Sequence, residues 1–165
     1  MAEINFVRVD FRLIHGQVIT KWIRQCGANE IVIVDDLLPT DEFLLSIYKM
    51  AAPPGFSVSV YTVDQMIKNW NENKFGNKKL FILFKDIKRA YQTITKGLPV
   101  EKLQIGGLGF APGRVNVYGA ISLDKGDASL LKELGDRGVD VYFQQVPDET
   151  PAKLAKVLDN SGLLD

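Results

Sequence analysis

Two short runs constrain this chain most: Ile31-Val-Ile-Val34 and Leu80-Phe-Ile-Leu-Phe84. Neither shows the alternation of a strand with one wet face. Each is also too short for a buried helix, so each reads as a strand covered on both sides. Between such runs lie segments with apolar residues at helical spacing. That pattern implies right-handed crossovers and an α/β fold. The expected architecture is a three-layer sandwich, with a mostly parallel sheet of about seven strands and helices on both faces.

In chain order, Ile4–Asp10 reads as a first strand and Gly16–Gln25 as a helix with Val18, Ile19, Trp22 and Ile23 inward, ended by Gly27. Glu30–Asp36 is a second strand. Thr40 or Asp41 caps a helix to about Ala52, with Phe43, Leu44, Ile47 and Met50 inward. Phe56–Tyr61 is a third strand, and Thr62-x-x-Gln65 is a capping box. Asn69–Asn77 reads as polar loop. Leu80–Phe84 and a short Leu103–Ile105 are strands on either side of a helix over Asp86–Lys96. A glycine-rich loop then covers Gly106–Gly113. Val115–Val117 and Ala120–Ser122 form a further strand or a hairpin. Asp124 caps a helix to Asp136, Val139–Phe143 is a late strand, and Pro151–Leu158 is a last helix.

At 165 residues, 46% of them apolar, the chain is expected to be one domain spanning 1–165, with a core that needs no disulfide or metal. Cys26 is the single cysteine, which excludes an intramolecular disulfide and multi-cysteine metal sites. No cofactor is called for. The N-terminus lacks a secretory pattern, and Leu80–Phe84 is far short of the ~20 apolar residues of a membrane span. The expectation is a cytoplasmic protein that reaches a membrane only through partners. Net charge is zero, yet residues 68–102 carry nine Lys/Arg against three acids. That segment is either a solvated face or a docking surface for an acidic protein. Nucleic acid fits poorly without a basic tail or interleaved Arg and aromatic residues.

Ligands in open parallel sheets sit beyond the carboxyl ends of the strands. The first such loop holds His15, the only histidine in the chain. Gly16 and Gln17 open the helix behind it, and free N–H groups at a helix start can hold a phosphate near the ring. Arg12, and Arg8 if it is not simply an outward strand residue, can neutralise phosphate oxygens. Asp10 can orient an arginine or one imidazole nitrogen, leaving the other free to attack. Nearby arginine charge disfavours a protonated ring, and the neutral ring is the nucleophile. Gly106 and Gly107 either line the phosphate site or make a tight turn.

The run Val9-Asp-Phe-Arg-Leu-Ile-His-Gly-Gln-Val18 resembles the active-site segment of the enzyme IIB components of the mannose–fructose–sorbose family. These belong to the bacterial phosphoenolpyruvate-dependent sugar phosphotransferase system. The resemblance reaches Ala51-Ala-Pro-Pro-Gly55 and Gly106-Gly107 with Gly113, and covers the order of elements throughout. It implies that His15 accepts a phosphoryl group from a phosphohistidine on enzyme IIA. His15 would pass it to a sugar held by the membrane components IIC and IID, acting as a protein-N(π)-phosphohistidine–sugar phosphotransferase. Arg12 and Asp10 match motif positions. Overall similarity leans towards members serving N-acetylgalactosamine or another hexose. Phosphoryl transfer needs an in-line nucleophile and dispersed positive charge, which this segment supplies without a metal. Departures from the family pattern are Phe11, Glu42-Phe43-Leu44 and Lys85.

Two other readings compete with this one. A flavodoxin- or receiver-like signalling or ligand-binding domain would use Asp35 and Asp36, but these acids follow the second strand rather than the first. A phosphocysteine at Cys26 is disfavoured because the thiol lies at a helix C-terminus, where the dipole opposes a thiolate.

Overall fold

The computed structural model describes the backbone of residues 1–165 and all side chains except those of Gln17 and Val18. Seven strands form one sheet in the order β3-β2-β4-β1-β5-β8-β9. They are β1 (Glu3–Asp10), β2 (Glu30–Val34), β3 (Ser57–Tyr61), β4 (Lys79–Phe84), β5 (Lys102–Gly107), β8 (Asp140–Phe143) and β9 (Ala152–Lys153). All neighbours are parallel except the edge pair β8–β9. Two further strands, β6 (Val115–Tyr118) and β7 (Ile121–Leu123), make a separate antiparallel hairpin.

The apolar runs behave as their composition requires: Ile31–Val34 and Leu80–Phe84 are all 0% exposed. Alternate residues of these runs feed two cores. One face packs against α1 (Gly16–Cys26) and α2 (Glu42–Met50), through Ile19, Trp22, Ile23 and Leu44. Phe6 joins it, stacked on Phe81 at 5.0 Å and tilted on Trp22 at 5.3 Å. The other face packs against α3 (Val63–Asn71), α4 (Ile87–Thr95), α5 (Lys125–Asp136) and α6 (Leu154–Ser161). The three-layer α/β sandwich follows.

Local signals set most boundaries. Asp41, Asp86 and Asp124 cap α2, α4 and α5, while Thr62 and Gln65 close the capping box of α3. Gly27 ends α1 with φ of 70°, a left-handed C-cap that glycine adopts without strain.

Four expectations need correction. Helix α3 runs through Asn71, so the polar loop begins later than Asn69. Gly106 and Gly107 belong to β5, because β1 pairs with that strand as far as Asp10↔Gly107. Pro151, which lacks an N–H, precedes a short strand that pairs with Tyr142 and Phe143, and α6 starts only at Leu154. In α2, Phe43, Ile47 and Met50 are exposed at 74%, 43% and 85%, while Leu44, Leu45 and Tyr48 pack inward. That helix packs on β3, the edge strand of the sheet, and nothing among the described residues covers its outer stripe.

The crossovers also locate a crevice. β1 connects leftwards to β2, whereas β5 leads through the β6–β7 hairpin and α5 rightwards to β8. Where adjacent parallel strands send their connections in opposite directions, the sheet opens at their carboxyl ends. That point lies between Asp10 and Gly107.

Candidate functional site

The loop 11–15 leaves β1 in this crevice and enters α1 at Gly16. Leu13 holds a positive φ of 57° and is 1% exposed, with its N–H donating to the Asp10 carbonyl at 2.9 Å. A bulky residue in the left-handed region is strained, and here its buried side chain in the α1–α2 core holds the turn in place. The turn directs Arg12 and His15 back towards the end of β1. His15 occupies the N-cap position of α1, but its side chain makes no cap hydrogen bond. The ring is therefore available for other work, and the first N–H groups of the helix remain without intrahelical acceptors.

Asp10 is the hub. It is 0% exposed, and its Oδ2 lies 2.9 Å from His15 Nε2 and 3.1 Å from Arg8 Nη2. Its Oδ1 accepts from the Arg12 backbone N–H at 3.1 Å and faces Arg12 Nε at 3.4 Å. Burial alone would push this carboxyl up, but the hydrogen bond from His15 and the Arg8 charge hold it down at about 2. Asp10 is thus ionised at neutral pH and can only accept. The proton on the neutral imidazole must then sit on Nε2, which leaves the Nδ1 lone pair free.

Arg8 is 0% exposed and is not an outward strand residue. Its Nε and Nη2 face Asp10, its Nη1 donates to Gln104 Oε1, and the carbonyls of Gln144 and Gln145 accept at 3.2 Å each. These contacts engage Nε and both terminal nitrogens with the protein interior. Its Cζ stands 5.7 Å from the Trp22 ring centroid, and Trp22 Nε1 donates to the same Gln145 carbonyl. Burial depresses the guanidinium below its ordinary value, against the opposing pull of Asp10.

Gly106 and Gly107 make room for this assembly. A Cβ on Gly106 would collide with the Arg8 guanidinium, and one on Gly107 would lie 2.6 Å from Asp10 Oδ1. The register slips between Val9 and Asp10 so that Gly106 bulges, which lets the guanidinium lie over bare backbone. Both glycines therefore touch the buried side chains directly.

Arg12 differs from Arg8. Its side chain is 46% exposed, and its terminal Nη groups make no hydrogen bond among the described residues. The His15 side chain is 18% exposed and Gly16 is exposed, so ring, guanidinium and helix start open to solvent at one place. The Gln17 side chain lies outside the described residues, and its backbone stands in the first turn of α1. The arrangement offers one ring nitrogen that faces away from Asp10, one guanidinium whose Nη groups are open among the described residues, and a helix N-terminus, a set suited to a phosphoryl group. Among the described residues no group of three or more His, Cys, Asp or Glu side chains converges as a metal site.

A family model described as the sorbose subfamily IIB component of the phosphotransferase system matches residues 4–164. The chain belongs to that family. A sorbose-specific EIIB component from Lacticaseibacillus casei is 35% identical over 156 residues, covering 94% of this chain and 95% of that protein. The crystal structure of manxB from Thermoanaerobacter tengcongensis superposes with a TM-score of 0.91 at 41% identity, over 96% of each chain. The IIBSor domain of the sorbose permease from Klebsiella pneumoniae gives a TM-score of 0.92 at 28% identity, over 96% of this chain and 98% of that one. The α/β sandwich is thus the IIB fold, and the chain is a phosphotransfer component of the sugar phosphotransferase system. Among the described residues no helix is long and apolar enough to cross a membrane.

The other sequence readings fare differently. Asp35 accepts from the backbone N–H groups of Leu37 and Leu38, and Asp36 accepts from Val63 N–H and pairs with Arg89 Nε at 3.0 Å. Both carboxylates tie loops to helices rather than forming a receiver site. Cys26 is the last residue of α1, and burial pushes its thiol up. Sequence reasoning missed Gln104, Gln144 and Trp22 as parts of the site. One signal was present: Arg8 and Gln104 are polar residues within otherwise apolar strands, and they prove to be register partners.

Proposed function

We propose that His15 Nδ1 is the atom that carries the phosphoryl group, taken from a phosphohistidine of enzyme IIA and delivered to a sugar bound by the IIC and IID membrane components. The observation that carries this reading is the 2.9 Å contact between His15 Nε2 and the buried, ionised Asp10. It assigns the ring proton to Nε2 and the attacking lone pair to Nδ1. In the first step the donor's N–P bond breaks as the Nδ1–P bond forms. In the second the Nδ1–P bond breaks as a sugar hydroxyl oxygen bonds phosphorus, and the hydroxyl proton is released. No redox partner is needed.

Arg12 is proposed to neutralise the phosphoryl oxygens, and the N–H groups at the start of α1, those of Gly16 and Gln17 among them, to cradle them. Arg8 is assigned a positioning role, because its nitrogens are engaged with Asp10, Gln104 and two carbonyls. Gly106 and Gly107 act in the same way, by clearing space for Arg8 and Asp10. The protein would work at the inner face of the membrane. The sugar is proposed to be a hexose, and the specificity of the Lacticaseibacillus casei relative favours sorbose over N-acetylgalactosamine.

The test is phosphoryl labelling. With labelled phosphoenolpyruvate, the two general phosphotransferase proteins and the cognate IIA, the wild-type chain should acquire an acid-labile, base-stable label that His15→Ala abolishes. Label retained by His15→Ala would overturn the assignment.

A further inference from the structure

The outer face of α2 is a feature that the phosphoryl site leaves unexplained. Six of its nine residues (Phe43, Leu44, Leu45, Ile47, Tyr48, Met50) are apolar or aromatic, yet none is buried. Phe43, Ile47 and Met50 stand at i, i+4 and i+7, so they form one stripe along the helix, and Leu37, in the turn before it, is a further exposed leucine at 73%. A helix this apolar is ordinarily covered, and contiguous exposed stripes of large side chains mark interaction surfaces.

The inner side of α2, through Leu44 and Tyr48, borders the loop that carries His15. A cleft of about 230 Å³ is lined by Leu13 from the His15 loop together with Leu37, Leu38, Leu44 and Tyr48. A partner seated on α2 therefore reaches the loop that carries His15. The surrounding charge indicates which partner. Asp41 and Glu42 are exposed at the start of the stripe, with Lys49 the one base on α2; Asp35 is buried, Asp36 is paired with Arg89, and Lys85 and Arg89 stand on the far wall of the cleft. Cytoplasmic loops of membrane proteins carry an excess of Lys and Arg, so an apolar stripe with an acidic margin complements them. The same margin would be repelled by the anionic lipid surface itself, which disfavours direct docking on the bilayer.

We infer that the outer stripe of α2, Phe43, Ile47 and Met50, with Leu37 before it and the acidic margin at Asp41 and Glu42 where the helix starts, is the docking surface for the cytoplasmic face of the membrane component that receives the phosphoryl group. The inference rests on the relay function proposed above and assigns one of its two partners to one face. The donor is then left to meet His15 without α2.

The test separates the two half-reactions with the double variant Phe43→Ser/Ile47→Ser and, separately, the charge reversal Glu42→Lys. Both change exposed side chains, so the melting temperature should match wild type. Label transfer from the donor to His15 should be unchanged. Sugar phosphorylation with membrane vesicles containing the cognate IIC and IID should fall by about tenfold or more for the double variant, as expected when buried interface anchors are removed. Glu42→Lys should lower it less, and more at low salt than at high salt. Unchanged sugar phosphorylation in the double variant overturns the inference. So does an equal loss of labelling from the donor, which would assign the stripe to IIA, or a wild-type dimer that the variant dissolves without loss of sugar phosphorylation, which would assign it to a second copy. Failure of wild type to label at all would instead overturn the relay reading.

Discussion

The decisive residue is Asp10, a buried carboxylate whose two oxygens serve three side chains. Its carboxyl lies at about 2 against an ordinary 3.8. A carboxyl depressed by folding contributes stability above its unfolded value, and that contribution is lost as pH falls from about 4 through about 2. The expected loss is roughly 2 kcal/mol. Urea unfolding of wild type between pH 5 and pH 2 should show it, whereas Asp10→Asn should be correspondingly flatter across the same window. Parallel profiles would refute the hub role. Because Asn can present its amide donor to the ring, the variant should also disturb the Nε2 proton, which 15N shifts of His15 would report.

Gly106 permits a second residue-scale prediction. Gly106→Ala should lower stability by about 1–3 kcal/mol, the usual cost of overpacking, because the Arg8 guanidinium is held on several sides and cannot yield. Thermal melts beside Gly138→Ala, where φ is strained at 96° but no atom lies within 4 Å, would separate collision from backbone strain. The first variant should also impair labelling of His15, and the second should not.

At the scale of elements, α1 and α2 share a face of the sheet but differ in anchoring. Helix α1 inserts Ile19, Trp22 and Ile23, each at most 5% exposed, while α2 buries no residue. Local opening is easiest where few apolar contacts are lost. Native-state hydrogen exchange should therefore show α2 amides exchanging at least about tenfold faster than those of α1. Equal protection would contradict the reading of α2 as an element completed by a partner. The loop 11–15 joins the two helices' shared core through Leu13, so its strained turn is held by the core rather than by its own hydrogen bonds alone.

At the scale of the molecule, the sheet brings the His15 crevice and the start of α2 to one end. The crevice between β1 and β5 holds His15, the 38–40 turn after β2 leads into α2, and both lie beyond the carboxyl ends of parallel strands. A carrier that meets two partners in succession, as proposed for this chain, would gain from presenting one reactive atom at an edge that both can approach. The split between donor labelling and sugar phosphorylation in α2 variants is the test of that division. The basic segment 68–102 is partly absorbed by ion pairs: Lys78 with Glu30, Arg89 with Asp36 and Lys96 with Asp64. These pairs account for part of its positive charge as structural.

Local sequence determined the layers and the place of His15. Apolar runs buried on both faces, capping residues at Asp41, Thr62, Asp86 and Asp124, and the motif around His15 all act through neighbours in the chain. The sequence alone could not show that Arg8 is buried, or that Gly106 and Gly107 lie within a strand. Those facts depend on β5, nearly a hundred residues away, pairing with β1 in one bulged register. Likewise the pattern Phe43, Ile47, Met50 reads equally well as an inward stripe or an outward one. Only the position of α2 over the last strand of the sheet decided that it faces outward, because periodicity sets which residues share a face and tertiary packing sets where that face points.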